Sequence, residues 1–581
     1  MASAAALYGC KNFLTDSSAP QGTLNQSTLE NKDGVEGTLI GAYRALDCTS
    51  AVSANWGCAA SNWVWGSVAS DDSYKGSDAS DQPPINDIEA YHWSAPDAQD
   101  YLNEKWRLSY EGVVRANSTL RLLAAVQKAS PTEISAEDAK GIAGEAIFLR
   151  AHYHFEAYRM WGNIPYYRED DNDYTKPNES SDQVIADLLK DLDSAIKLLP
   201  AEPRNAQKGR ATLWTAKAYK GRVQVYAGQW PAAVATLEDV VKNGPYKLET
   251  SFDRVWTGYK DRQDGPETIW AFQASSNDGE PDGNNANYGE RLNFPYSGSH
   301  FGCCGFNQPT QNLVNFFKVD ANGLPLALSN PSGWNASNDD FKAGNMTPVD
   351  PRLDWTVGRD SVPYKDWGLY SIAAGWVRDV GNGGPYSPKK NAHEKASGAE
   401  SNVGWQNTQL NSVHIHLFRY ADLLLMLAEA YVETGNLEGA RQIVNQIRAR
   451  AAVTAQGPGT TAANMAVPIN DPSITWASYK IGQYPAFPSA SYARDAVRAE
   501  RRLELAMEGQ RMYDLRRWGI ADVTLNGYLN GVGGGSEKAR RTYLSSAEAL
   551  SARHKWFPIP DLQIQLSQVN GQSNLKQNTG W

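Results

Sequence analysis

The chain has 581 residues, enough for several average domains or for one large helical body. Its 65 acidic residues outnumber 55 lysines and arginines, for a net charge of −10. That argues against a nucleic-acid partner, which needs a basic surface, and against a strongly polyanionic ligand. Aromatics make up 10% of the residues, with 19 tryptophans; most should be core, and a surplus on loops would signal binding. No stretch approaches the roughly 18 consecutive apolar residues of a membrane helix.

Ala4-Ala-Ala-Leu-Tyr-Gly-Cys10 looks like the end of a bacterial lipoprotein signal, with Leu7-Tyr-Gly-Cys10 as lipobox and Cys10 as lipid anchor. What precedes Cys10 lacks a basic residue and is shorter than a full signal of about 15–30 residues. Residues 1–14 are read as signal remnant and anchor, and 15–581 as one body. A helical scaffold is expected over about 28–48, 97–245 and 413–520, with a C-terminal extension over about 521–581. Loop-rich inserts are expected over about 49–96 and 246–412, where glycine, asparagine and proline are dense. Long irregular inserts on a rigid scaffold usually carry function.

Within the scaffold, Ile142, Ala146, Leu149, Tyr153 and Ala157 recur at helical spacing, and Asp182–Leu199 is amphipathic up to Pro200. Trp214, Ala218, Gly221 and Val225 form a small-residue stripe suited to close packing. Leu417, Ala421, Leu424, Ala428 and Tyr431 predict another helix, and Glu500–Gly519 a charged one. Gly228-Gln-Trp-x-x-Ala233 and Gly435-Asn-Leu-x-x-Ala440 each join one helix to the next, as in degenerate tetratricopeptide-like repeats. Such units predict a mostly α fold, a right-handed solenoid with long loop-rich inserts and a few short strands. Thr268–Gln273 alternates like one of those strands.

The chemistry-bearing residues invite bland readings. Arg501, Glu504, Glu508 and Arg511 form a polar stripe, with Glu500 in step; an acid–base pair is one reading, a satisfied ion-pair network the favoured one. His152 and His154 point to different helix faces and make poor joint metal ligands. Asp71-Asp72 to Asp81, and Asn277–Gly283, hold enough oxygens for calcium but match no EF-hand loop, so solvated turns are the favoured reading. No cofactor or metal is expected. Cys48 and Cys58 are spaced for a disulfide in an oxidising compartment; Cys303-Cys304 is either a vicinal disulfide or two thiols.

Glu145–Phe155 running to Trp161-Gly-Asn-Ile-Pro165, Asp350-Pro-Arg-Leu-Asp354, Arg419–Ala430, the Glu500–Gly519 helix, His554-Lys-Trp-Phe-Pro-Ile-Pro560 and Asn574–Trp581 together resemble motifs of the SusD/RagB family of outer-membrane glycan-binding lipoproteins. The resemblance implies a single α-rich body with tetratricopeptide-like units. It implies a lipid on Cys10, at the extracellular face of the outer membrane, and a SusC-like TonB-dependent barrel as partner. The implied function is capture of oligosaccharide or polysaccharide for delivery to that barrel, without catalysis. The rivals are an all-α glycoside hydrolase and a tetratricopeptide-like protein-interaction scaffold. Sugar rings pack their C–H faces on aromatic rings and need polar neighbours for their hydroxyls. The expected glycan contacts are therefore Trp56, Trp63, Trp65 and Tyr74 with Asp72 and Lys75, and Tyr288, Tyr296, Trp334 and Trp367 in the second insert, Trp65 serving as anchor. Aromatic richness and negative charge favour a neutral glycan, such as a β-glucan or hemicellulose.

Overall fold

The computed structural model describes residues 26–49, 55–337, 343–344, 346–403 and 409–581. Cys10 lies outside them. The scaffold consists of antiparallel helices: α1 (Lys32–Arg44), α3 (Pro96–Ala129), α4 (Ala136–Trp161), α5 (Ser181–Leu198), α6 (Leu213–Tyr226) and α7 (Trp230–Asn243). Each of α3 to α6 packs on the next in sequence, and α6 on α7. The later members are α8 (Tyr420–Glu433), α9 (Leu437–Ala451), α10 (Ala490–Leu505) and α11 (Arg511–Arg517), with α8 lying on α7 and α10. A short α2 (Pro83–Glu89) precedes α3.

Sequence chemistry sets the boundaries. Ser135 and Ser180 accept backbone N–H bonds at the starts of α4 and α5, and Thr212 forms a reciprocal cap with Thr215 on α6. The repeat turns need a left-handed residue, and Gly228 and Gly435 supply it with φ of 65° and 86°. A side chain at Gly221 would meet Leu237 of α7, so the small-residue stripe is what lets α6 and α7 approach.

The expected strand is β2 (Thr268–Phe272), antiparallel to β4 (Ile415–Arg419) with Thr268 opposite Arg419. Leu417 therefore lies on a strand rather than on the helix predicted to begin there; that helix starts at Tyr420. The charged helix predicted over 500–519 is also two: α10 and α11 are separated by Met507 and Gly509, at φ of 65° and 66°.

That break positions the first insert. A side chain on Gly66 would strike the Gly509 carbonyl, and one on Gly509 the Ser61 carbonyl. Residues 55–76 are thus threaded against the α10–α11 corner rather than looped outside it. They contain a π-helical turn (Trp63–Val68) and β1 (Ser73–Gly76), which pairs antiparallel with β3 (Phe306–Pro309) and joins the two inserts. Both cysteine pairs, Cys48–Cys58 and Cys303–Cys304, are disulfides.

Candidate functional site

The threading overturns most of the first insert's expected ligand contacts. Trp63 and Trp65 are 1% and 0% exposed. Trp65 donates to the Gly57 carbonyl at 2.9 Å and meets Phe557 edge-on, while Trp63 donates to Gly289 at 3.1 Å. The rings do have a core to join, built from residues hundreds of positions away. Asp72 is buried on Arg502 at 3.2 Å, and Asp71 pairs with Arg502 and Arg511. Burial opposes ionisation of Asp71, but the two guanidiniums overcome it and hold its carboxyl at about 2. The Tyr74 hydroxyl donates to Glu537 inside the fold. Lys75 is equally buried, and its ammonium donates to the carbonyls of Asp78 and Asp81 at 2.7 and 2.6 Å.

In the second insert, Phe294, Phe301, Tyr364, Trp367, Tyr370 and Trp376 form a separate small core. Trp367, expected at the surface, is spent there, with its indole N–H on the His393 carbonyl at 2.8 Å. Trp334 is likewise buried, edge-on to Phe316 and against Gly533.

Trp56, Tyr288 and Tyr296 remain half-exposed. They make two aromatic surfaces. Trp56 and Tyr288 stack at 5.7 Å and 21°, with Arg291 over both rings. Tyr296 lies 5.4 Å under the Arg378 guanidinium, which pairs with Asp78 at 2.6 Å and Asp81 at 2.7 Å and donates to the Ser77 hydroxyl at 2.9 Å. Lys75, below, pins the 78–81 turn that carries both carboxylates. Exposed His300 lies at the edge of the small core, 5.4 Å from Trp367.

This second arrangement joins a ring face to fixed carboxylates and a planar guanidinium, all partly open to water. It can stack a sugar's C–H face and bind adjacent hydroxyls. Sequence reasoning missed Arg378 and did not single out Asp78 as a sugar contact. Aspartates 71 to 81 stood out as oxygen ligands, but their arginine partners lie about 300 to 440 residues onward.

The carboxylates that suggested catalysis are saturated. Glu504 is fully buried on Arg352, Arg419 and Arg450, Glu500 on Arg352 and Arg448, and Glu508 on Arg419 and Lys390. Arg352 and Asp350 of the Asp-Pro-Arg-Leu-Asp motif complete this network at 2.8 Å. His152 and His154 are core residues, bonded to the Tyr219 hydroxyl and to the Arg150 carbonyl. At the C-terminus Trp93, His554, Phe557 and Trp581 pack together, and Asn578 ties Trp161 to Phe557.

Residues 266–581, more than half of the chain, match the model of the SusD family. The chain belongs to the SusD family. Residues 54–225 match a second model, described as starch-binding associating with outer membrane. SusD-like protein P38 of Formosa agariphila is 26% identical over 484 residues, covering 81% of this chain and 82% of that protein. A SusD homologue from Bacteroides thetaiotaomicron superposes with a TM-score of 0.68 at 20% identity, covering 96% of this chain and 99% of the other. Surface glycan-binding protein A from the same species, in complex with laminarihexaose, gives 0.59 at 17% identity, covering 94% and 99%. The tetratricopeptide-like helical fold is shared with these SusD-like structures. The motifs that carried the family resemblance thus hold the scaffold together, while the candidate ligand surface lies outside them. No helix among the described residues is long and apolar enough to cross a membrane.

Proposed function

We propose that this SusD-like protein is a non-catalytic surface glycan-binding protein. It captures oligosaccharide on the surface formed by Tyr296, Arg378, Asp78 and Asp81, with Trp56 and Tyr288 as a second stacking platform. The observation that carries the reading is the half-exposed Tyr296 ring flanked by charges that Lys75 holds in place. Such an arrangement recruits a sugar without first ordering a loop, which lowers the entropic cost of binding. The ligand is a neutral glycan of the β-glucan or hemicellulose class. Support comes from the net charge of −10 and from fold neighbours described as binding laminarin or laminarihexaose.

In this reading Cys10 carries the lipid that anchors the protein at the outside of the outer membrane, and a SusC-like TonB-dependent barrel receives the glycan. The saturated Glu500, Glu504 and Glu508 support binding over hydrolysis, because each carboxylate already faces guanidinium or ammonium groups. Incubation with a panel of β-glucans and hemicelluloses tests it. Retarded gel migration without new reducing ends is expected; released reducing ends would restore the hydrolase reading. Acylation is read by metabolic labelling with a fatty-acid analogue, which Cys10→Ala should abolish.

A further inference from the structure

A cavity of about 550 Å³ opens where the end of α4, the start of α5, the turn after α6 and the end of α11 meet Lys555 and Trp556. That volume is in the range of small-molecule sites. No residue of the two aromatic surfaces lines it.

Arg516 lines this cavity and is 7% exposed. Phe557 covers one face of its guanidinium, with 3.9 Å between group and ring centroid. Nη1 reaches the Arg159 carbonyl at a long 3.4 Å, and Nε and Nη2 meet no acceptor. No carboxylate among the described residues bears on it. Arg352, Arg419, Arg448, Arg450, Arg501 and Arg502 are also buried, and each of them faces at least one carboxylate. Arg222 has no ion pair either, but it donates to the Leu417 carbonyl and to Gln510 at 3.0 and 2.9 Å and does not line the cavity. Taking a guanidinium out of water without an anion is costly, so Arg516 is a cation lacking its counter-charge.

The other charges on the wall narrow the choice of anion. Arg159 is paired with Glu156, and Arg517 with Glu429 and Asp514. Lys555 is exposed and has no ion pair among the described residues; its ammonium lies 5.8 Å from the Trp556 ring. Asp182, exposed in the first turn of α5, is the sole acid in the lining. Arg516 and Lys555 against Asp182 leave one positive charge, which matches a single carboxylate better than a doubly charged phosphate. A planar guanidinium also fits a planar carboxylate. The same wall carries half-exposed Tyr226, Trp518 and Trp556, rings of the kind that take a sugar's C–H face.

We propose that this cavity binds a uronic acid sugar, with its carboxylate on Arg516 and Lys555 and its ring against the aromatic wall. The site is separate from the neutral-glycan surface and does not rest on it. The net charge of −10 weighs against acidic sugars over the molecule as a whole, and this cavity is the local exception.

The test is calorimetry of the full chain with glucuronate, alongside glucose, phosphate and sulfate, for wild type, Lys555→Glu and Arg516→Met. Wild type should bind glucuronate, with the other three at least tenfold weaker. Lys555→Glu, at an exposed position, should lose tenfold or more, and Arg516→Met all measurable binding. Without glucuronate Arg516→Met should melt no lower than wild type, because it removes an unpaired buried charge. Were it to fail to fold, Lys555→Glu decides alone. Affinity for a neutral β-glucan should stay unchanged in both variants, and Tyr296→Ala should leave glucuronate binding intact. Wild type that does not bind glucuronate, or binds it equally well after Lys555→Glu, overturns the inference. So does phosphate or sulfate binding as tightly, which would make this a general anion site. Loss of glucuronate binding in Tyr296→Ala would move the acid to the aromatic surface and overturn it too. Failure of the neutral-glycan reading shows separately, as wild type that binds no β-glucan.

Discussion

The two inserts look alike as sequence and behave oppositely in the fold. Both are long, rich in glycine and polar residues, and studded with large rings. Residues 55–76 are drawn into the α10–α11 corner, where Gly66 and Gly509 touch backbone to backbone, and Trp63 and Trp65 become core while Trp56 stays at the margin. Residues 294–301 and 364–377 instead build a small core of their own and leave Tyr296 and His300 at its edge. Whether an insert's aromatic is available to a ligand thus depends on where the chain closes over it. The polarity of its sequence neighbours does not decide this.

The sharpest way to break that contrast is to remove one aromatic ring on each side. Trp65→Ala should cost roughly 3–5 kcal/mol, as large-to-small changes at buried aromatics do. Urea unfolding would read the loss, while the glycan affinity of the folded fraction stays constant. An unaltered midpoint with weakened glycan binding would return Trp65 to the ligand surface.

The charges docking the first insert should matter nearly as much. Asp71→Asn leaves Arg511 facing a neutral amide and should cost about 3 kcal/mol at neutral pH, as breaking a buried pair does. The sign with pH follows from the depressed carboxyl. Folded Asp71 titrates at about 2, against an ordinary 3.8. Its stabilisation is therefore complete above about pH 4 and is lost as the pH falls towards 2. Denaturation midpoints at pH 5, 4, 3 and 2.5 should show a steeper acid loss in wild type than in Asp71→Asn. Parallel curves would mean that the Asp71–arginine contacts contribute little.

On the other insert the effect moves from stability to binding. Tyr296→Ala should weaken glycan affinity about tenfold, equivalent to about 1.4 kcal/mol, with the melting temperature nearly unchanged. Trp56→Ala, at the open margin of the first insert, should do the same to a smaller degree if the two platforms share one glycan. Calorimetry with β-glucan oligosaccharides of increasing length separates them, because only ligands long enough to span both should sense Trp56. Equal affinities for wild type and Tyr296→Ala would remove this surface from the site.

Much of the scaffold was legible because helical periodicity and turn glycines are local signals. Ile142–Ala157 and Gly228 needed nothing from elsewhere in the chain to show a helix and a turn. The C-terminal motifs were legible as a pattern, though their role was not: Glu504 reads the same whether it faces a substrate or Arg352, Arg419 and Arg450. The ligand surface was the least legible part. Tyr296 could be picked out as a loop aromatic, but so could Trp334 and Trp367, which are buried by residues distant in sequence. Arg378 carries no local mark at all. Its meaning arises only when β1 and β3 pair and bring the 77–82 turn beneath it.

The smallest expected effect concerns the residue linking the two regions. Lys75 is buried with the first insert's side chains, yet its ammonium holds the turn that serves the second. Burial pushes its pKa down to about 8, so keeping it charged costs folding free energy. Because the unfolded lysine titrates near 10.5, this site's contribution makes the protein more stable as the pH rises from about 8 towards 10.5. Lys75→Met keeps much of the shape and removes the charge, so stability should hold or rise slightly. Glycan affinity should nevertheless fall about threefold, since Asp78 and Asp81 would need to be ordered on binding. Wild-type affinity should decline in the same way as the pH passes 8, and the variant's should not. Calorimetry at pH 7 and pH 9 distinguishes the cases. A variant that loses stability but binds normally would make Lys75 a simple structural residue, and the two inserts would then be independent.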